Sequence, residues 1–280
     1  MKKIDLHTHS TSSDGTLSPS ALMEHAFRQG LSAIALTDHD NLDGMEEASE
    51  AAKALGIELV AGIEFSTIFQ DRDIHILGLE VNRTFPPLLS ELSRIQEERR
   101  ERNQRMIDRM AADGIRISWE QMEACFGGRL WTRAHFARYL ADHGYVEDMW
   151  DAFHTHIGEG CPYYVPREKV SPFRITELIR RAGGIPVLAH PFQYKFEEET
   201  LENLVLSLKD AGLAGIEAIY STHTPRQEQQ IRDLADRTGL KISGGSDYHG
   251  ANKPDIELGI GRGNLRIPHE ILEQLRSAVR

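Results

Sequence analysis

The sequence predicts an α/β fold in which strands line a mostly parallel sheet or barrel and a block of helices interrupts the rhythm. Three observations carry this. Short β-rich apolar runs alternate with helical patterns. Histidines and carboxylates recur at the ends of those runs. Between about 85 and 166 the strand signal disappears and only helical patterns remain.

The first strand is read at 2–7 and runs into "IDLHTHSTSSDG". Side chains alternate along a strand, so His7 and His9 can aim both imidazoles at one point, with Asp14 in the loop that follows. Ser18 as N-cap, Pro19 in the first turn and Gly30 as the stop mark a helix. A strand at 32–37 ends in "ALTDHD", which contributes Asp38 and His39. A helix from about Leu42 to Leu55 stops at Gly56, and the strand at 57–63 ends on Glu64 in "AGIEFS". The strand at 74–81, "DIHILGLEV", contains His75.

Helices then follow one another in "PPLLSELSRIQEERRERNQRMIDRMAADG", "SWEQMEACF", "TRAHFARYLADHG" and "EDMWDAFHTHIGEG". This stretch, 87–165, reads as an insertion over the active-site end of a barrel domain made of 1–86 and 166–280. Strands resume at 185–189, ending on His190 in "PVLAHP", and at 215–220, leading to His223 in "YSTHTPRQ". The last, at 241–245, leads to Asp247 and His249 in "GGSDYHG".

Sites in parallel α/β folds form at the carboxyl ends of strands. Nine side chains track those ends and can converge: His7, His9, Asp14, His39, Glu64, His75, His190, Asp247 and His249. Scattered surface histidines would have no reason to do so. Imidazoles and carboxylates without a thiolate suit Mn2+, Fe2+ or Zn2+ in a reactive centre better than a structural zinc. Nine ligands exceed what one ion takes and are generous for two. Three divalent ions would outweigh the three carboxylates and leave positive charge for a phosphate dianion, so hydrolysis of a phosphoester is the chemistry expected.

Composition narrows the classes. Lys and Arg number 32 against 43 Asp and Glu, a net charge of −11, which disfavours a surface that coats nucleic acid. No apolar run reaches the ~20 residues of a membrane span. "MKKIDLHTHS" has a basic start with no apolar core behind it, so no secretory signal is expected. Cys125 and Cys161 lack the spacing of a zinc knuckle or disulfide framework, and a cytoplasmic protein is expected. "DHDNLDGMEEAS" imitates a calcium loop but has Leu42 where a ligand belongs, and no Walker A, nucleophile elbow or H-E-x-x-H is present.

With these residues in view, the chain resembles the PHP (polymerase and histidinol phosphatase) family through "DLHTHSTSSDG", "TDHD", "GIEFS", "HILG", "AHP" and "GSDYHG", in order. The resemblance implies a distorted (β/α)7 barrel with a trinuclear metal centre, for which Mn2+ is the first expectation and Fe2+ or Zn2+ the alternatives. It implies one ion on His7, His9, Glu64 and Asp247, a second on Glu64, His75 and His190, and a third on Asp14, His39 and His249. "LWTRAHFARYL" and "YSTHTPRQ" look like the branch of 3′,5′-nucleoside bisphosphate phosphatases and 5′→3′ exoribonucleases. The implied substrate is a nucleotide or short oligonucleotide, with no membrane and no stable protein partner.

Glu64 is expected to be catalytic as the bridging ligand. Arg133 is the first choice for gripping substrate phosphate, since a guanidinium fork matches phosphate geometry. His135, His223, Arg99 and Lys253 are further candidates for substrate contact. His223 follows a strand end and could also protonate the leaving group. Arg99 and Asn103 interrupt an apolar stripe of Leu92, Ile95, Met106 and Met110, while pairs such as Glu98–Arg102 would lace a solvated helix face. Asp38 is expected to orient a ligand rather than be one. His25, His143, His154, His156 and His269 carry no assigned chemistry. The alternatives are a histidinol-phosphate phosphatase, a binuclear amidohydrolase, and a metal-stabilised PHP module without catalysis.

Overall fold

Among the described residues, seven strands hydrogen-bond in their sequence order: β1 (Lys3–Asp5), β2 (Leu31–Leu36), β3 (Glu58–Phe69), β4 (Arg72–Leu79), β5 (Ile185–Leu188), β6 (Gly215–Tyr220) and β7 (Lys241–Gly245). The computed structural model describes residues 2–127, 130–166 and 170–279. The chain divides into two compact units, Met1–Leu89 with Lys169–Arg280, and Ser90–Glu168. No helix among the described residues is long and apolar enough to cross a membrane.

In the first unit the sheet curls into a nearly closed barrel. Leu6 N donates to Gly244 O (3.2 Å), Asp247 N to His7 O (2.8 Å) and His9 N to Tyr248 O (3.0 Å), so the chain beyond β1 is stitched to the chain beyond β7. A Cβ on Gly245 would lie 2.2 Å from His7 Cβ, so only glycine permits this close approach. The pairing is parallel except around β4, which is antiparallel to both β3 and β5.

The β3–β4 reversal is a two-residue hairpin. Gln70 and Asp71 both have positive φ (49° and 60°), as a type I′ turn requires. β3 also runs past the expected end at residue 63. Its first residues pair with β2, then Gly62–Phe69 pair with β4, so Glu64 lies within the strand opposite Leu77 rather than at its end.

Helices α1 (Pro19–Arg28) and α2 (Met45–Leu55) share a buried cluster with β2 that includes Leu22, Met23, Ile34, Leu36 and Ala48. Ser18 caps α1 by accepting from Ala21 N, and Gly56 ends α2 at φ 70°. α7 (Pro172–Arg181), α8 (Glu198–Asp210) and α9 (Pro225–Thr238) connect the later strands. α10 (Glu270–Val279) buries Ile271, Leu272 and Leu275 among Ile4, Ala33, Val60, Ile185 and Ala214. Lys3 bridges to Pro268, and a Cβ on Gly215 would meet Leu275, so α10 packs at the strands' amino-terminal end.

The second unit contains most of α3 (Pro86–Ala112) with α4 (Trp119–Phe126), α5 (Arg133–Asp142) and α6 (Met149–Ala152), the last continued by a π-helical turn at Phe153–Ile157. Its own core comprises Met106, Met110, Met122, Trp131, Phe136, Tyr139 and Leu140 among others. Arg102, read from sequence as half of a solvated Glu98–Arg102 pair, is instead almost fully buried. It donates to Asn103 Oδ1 (2.7 Å), while Asn103 Nδ2 donates to Trp131 O (3.0 Å). Glu98 pairs with Arg94.

Truncating Leu272, which is fully buried, to alanine should lower unfolding free energy by about 2–5 kcal/mol in urea denaturation. Val279→Ala, on the half-exposed end of the same helix, should change it by no more than about 0.5 kcal/mol.

Candidate metal centre

The chain beyond β1 separates backbone from side-chain tasks by strand alternation. Thr8 points to the β2 side, donating Oγ1 to Ala35 O (2.6 Å) while its amide donates to Thr37 Oγ1 (3.1 Å). His7 and His9, on the other face, put their rings 5.2 Å apart inside the barrel mouth. The remaining rings join them in a chain: His9–His249 (4.1 Å), His9–His39 (4.6 Å), His39–His75 (5.2 Å) and His75–His190 (5.1 Å). His75 reaches this end because β4 runs backwards, so its early residues lie beside the carboxyl ends of the parallel strands.

Glu64 stands at the centre. Its Oε2 lies 3.2 Å from His7 Nε2, His9 Nε2 and His39 Nδ1, and its Oε1 lies 2.8 Å from His75 Nδ1 and 3.1 Å from His190 Nε2. Asp247 Oδ1 is 3.3 Å from both His9 Nε2 and His249 Nδ1 and 3.6 Å from His7 Nε2. Asp14 Oδ1 is 3.2 Å from His249 Nε2, and its Oδ2 is 3.9 Å from His39 Nε2.

Close approach is not the same as satisfaction. His7 Nε2, His9 Nε2, His39 Nδ1 and Glu64 Oε2 are buried yet have no hydrogen-bond partner among the described residues. Such groups are costly in an interior unless a cation takes them up. Four sets of donor atoms lie close enough to hold an ion: His7–Glu64–His190, His7–His9–Asp247, His39–Glu64–His75, and His9–Asp14–His39–His249. All nine expected ligands fall within these sets. The sets overlap through His7, His9, His39 and Glu64, whereas the family pattern places His9 and His39 on single ions and puts His75 with His190. The donor chemistry, imidazole nitrogen and carboxylate oxygen, fits divalent transition metals.

Several supporting residues escaped the sequence reading. Glu217, fully buried in β6, faces His7 Nδ1 (3.0 Å) and accepts from His190 N (2.7 Å). Asp5 accepts from His7 N (3.3 Å), Ser246 N (2.9 Å) and Gly259 N (2.8 Å), fastening β1 to the chain beyond β7. Tyr220 donates its hydroxyl to Asp247 Oδ2 (2.6 Å). The available signal for Glu217 was one charged residue within the otherwise apolar "GIEAIY". Asp38 is not among the ion-holding sets. It accepts from Ser10 N, Ser10 Oγ and Ser13 Oγ (2.8, 2.6 and 2.5 Å), and Ser13 Oγ is 3.5 Å from His9 Nδ1.

The electrostatics divide the imidazoles. Burial disfavours a proton on His39 and brings it down to about 3, despite Glu64 and Asp14. Burial opposes a proton on His9 as well, but Asp247 and Glu64 outweigh it and hold the ring at about 9. His7 is raised in the same way by Glu64, Glu217 and Asp247 against its desolvation. Glu64, Asp14 and Asp247 would each be raised by burial, yet the surrounding imidazoles, with Lys253 at Asp247, hold them well below the carboxylate range.

The substrate candidates lie in both units. Lys253 is not a free surface lysine: its Nζ donates to Asp247 Oδ2 (2.6 Å). His223 is buried against Phe192 and Tyr220, with Nδ1 on Ala218 O (2.9 Å) and Nε2 lacking a partner among the described residues. In the second unit, Arg99 is buried in α3, and Arg133 opens α5 with its guanidinium 5.6 Å from the Tyr164 ring. His135 completes the α5 capping box, Nδ1 accepting from Thr132 N (3.0 Å), so that face of the ring has a structural task.

Comparison with known proteins identifies the family of the chain. A family model described as the PHP domain matches residues 5–168. A 5′-3′ exoribonuclease of Haemophilus influenzae is 38% identical over 89% of this chain and 90% of its own length. A 3′,5′-nucleoside bisphosphate phosphatase of Chromobacterium violaceum is 36% identical over 92% and 91%. A solved Chromobacterium violaceum structure, described as an amidohydrolase with bound sulfate and no metal, superposes with TM-score 0.88 at 33% identity, covering 99% of this chain and 96% of its own.

Divalent ions bound there would compete with protons on His7 and His9, which the neighbouring carboxylates favour against the cost of burial. Loading metal-free protein with Mn2+ at pH 7 in dilute buffer should therefore release about one to two protons per chain, read with an indicator dye. Because a raised pKa favours the protonated competitor below it, apparent affinity should climb with pH from neutrality through about 9, where His9 loses its own proton.

Proposed function

We propose that this chain, which belongs to the PHP domain family, is a metal-dependent phosphoesterase acting on nucleotides. The reaction proposed is removal of the 3′-phosphate from a nucleoside 3′,5′-bisphosphate to leave the 5′-monophosphate, and 5′→3′ cleavage of short RNA, as the names of its relatives suggest. The observation that supports it most is the convergence of nine imidazole and carboxylate side chains, several of whose buried atoms (His7 Nε2, His9 Nε2, His39 Nδ1 and Glu64 Oε2) have no hydrogen-bond partner among the described residues.

We assign three divalent ions to this centre, Mn2+ first with Fe2+ or Zn2+ able to substitute, held by His7, His9, Asp14, His39, Glu64, His75, His190, Asp247 and His249. Bound there, they would acidify water and draw charge from the phosphoryl oxygens. The protein's own residues supply the rest. Glu64 gathers five imidazoles around one carboxylate and is the proposed bridging ligand. Tyr220 and Lys253 hold the far oxygen of Asp247, leaving Oδ1 facing the histidines. Lys253 also brings a positive charge to the rim, where it can attract phosphate.

His223 is proposed at the leaving-group side. Burial lowers its basicity, so a proton on Nε2, which has no partner among the described residues, would be weakly held and readily passed on. Arg133, with Arg99 and His135 from the same unit, is proposed to grip the substrate phosphate. A binuclear amidohydrolase scheme has no use for Asp14, His39 and His249, which lie together with His9 here. Histidinol phosphate would meet the same metal chemistry and differs only in its leaving group. The cytoplasm is the proposed compartment for a chain whose two cysteines are unpaired.

Phosphate release from adenosine 3′,5′-bisphosphate, histidinol phosphate and a 5′-phosphorylated short RNA, each with Mn2+ and after chelation, tests the substrate. The nucleotide substrates should be turned over with metal only; preference for histidinol phosphate, or amide hydrolysis alone, would overturn the reading. Glu64→Gln should lose turnover by about 100-fold or more together with bound metal, measured by elemental analysis. Arg133→Ala should raise KM about tenfold, equivalent to about 1.4 kcal/mol of phosphate binding, with kcat little changed.

A further inference from the structure

Glu217 is a fully buried carboxylate in the middle of β6, where its neighbours are Ile216 and Ala218. A charge there is tolerable only with well-placed donors, and among the described residues both of its donors are on candidate metal ligands that follow other strands. Oε1 lies 3.0 Å from His7 Nδ1 and Oε2 accepts from the backbone amide of His190 at 2.7 Å. His7 follows β1 and His190 follows β5, so one side chain ties both sides of the site to β6.

The two bonds have different consequences. A carboxylate only accepts, so His7 Nδ1 must carry the proton, and the lone pair of the neutral ring then sits on Nε2. That atom is the one facing Glu64 and Asp247. At His190 the backbone has φ 24° and ψ 60°, outside the regions that non-glycine residues favour. The bond to Glu217 restrains the residue there, with its Nε2 3.1 Å from Glu64. We propose that Glu217 is a positioning residue for metal binding, setting the ring form of His7 and pinning His190. This rests on the metal-centre reading above and goes beyond it by assigning a residue outside the ligand set.

Glu217→Gln is the informative change, because shape is kept while one acceptor becomes a donor. With its oxygen retained on His190 N, the amide nitrogen faces His7 Nδ1 and donates to it. The ring proton then moves to Nε2, where the lone pair is needed. Metal-free wild type and Glu217→Gln would be titrated with Zn2+ by calorimetry, with bound ions counted after dialysis and thermal unfolding of both metal-free proteins recorded. The expected result is about a 10- to 100-fold loss of affinity for part of the bound metal. The ion on Asp14, His39 and His249 should be retained, with metal-free unfolding little changed.

Equal affinity and stoichiometry in the two proteins would overturn the proposal. So would a uniform loss across all ions that parallels a drop in metal-free stability, the mark of a purely structural carboxylate. The wild type provides a second measurement that does not depend on the variant folding. In the Zn2+-loaded protein, nitrogen-edited NMR should show the His7 proton on Nδ1; a proton on Nε2 refutes the assignment. Wild type that takes up no divalent ion would bring down the metal-centre reading itself, whereas normal uptake with an indifferent Glu217→Gln removes only the role of Glu217.

Discussion

The structure depends on one buried carboxylate surrounded by imidazoles. Glu64 is almost wholly inaccessible, yet five histidine nitrogens approach its two oxygens within 3.2 Å. A negative charge in that setting requires positive charge nearby. The carboxylates around His7 and His9 favour a proton on each ring against burial, while burial disfavours one on His39. Divalent ions would meet the requirement with fixed charge at the same positions. Proton and metal therefore compete for one set of atoms, and the centre's chemistry follows from which of them wins at a given pH.

The same backbone that closes the barrel carries four of the candidate ligands. His7, His9, Asp247 and Tyr248 form the hydrogen bonds joining the chain beyond β1 to the chain beyond β7. Asp5 reinforces the seam through Ser246 and Gly259, and Gly245 allows the strands to approach. Fold and site are thus not separable at this edge. A substitution that loosens the seam moves two histidines and a carboxylate together, and its effect on metal binding should exceed what its distance from the ions suggests.

What could be read from residues alone follows a physical division. Strand positions, the Ser18–Pro19 start of α1 and the Gly56 stop of α2 were legible because each is a local signal. The convergence of the candidate ligands was legible because a parallel barrel puts successive strand ends on one rim. The reversal of β4 was not. Its turn is Gln70–Asp71 rather than the Asn-Gly that would announce positive φ at two successive residues, and periodicity carries no strand direction. Burial of Arg102 was hidden for a similar reason: an i,i+4 charge pattern reads as solvated unless the tertiary partner, here the Trp131 carbonyl reached through Asn103, is known. Glu217 contacts residues 27 and 210 positions away, and no local pattern encodes such pairs.

The backbone shows where the fold invests its strain. His190 and Asp247 both have positive φ, 24° and 57°, and both are candidate ligands immediately beyond strand ends. Non-glycine residues hold such conformations only when their surroundings over-determine them. Each is restrained accordingly: His190 through its amide on Glu217 and its ring beside Tyr194 and Tyr220, Asp247 through its amide on His7 O and through Tyr220 and Lys253 on Oδ2. A relaxed backbone at either position would turn the side chain away from Glu64. The strain is offset by bonds that do not themselves contact an ion, so the donor atoms are held in place before any cation arrives. Pre-organisation of this kind lowers the reorganisation needed on binding. It explains why a site assembled from six strands and the loops beyond them can be ordered while several of its innermost nitrogens have no hydrogen-bond partner among the described residues.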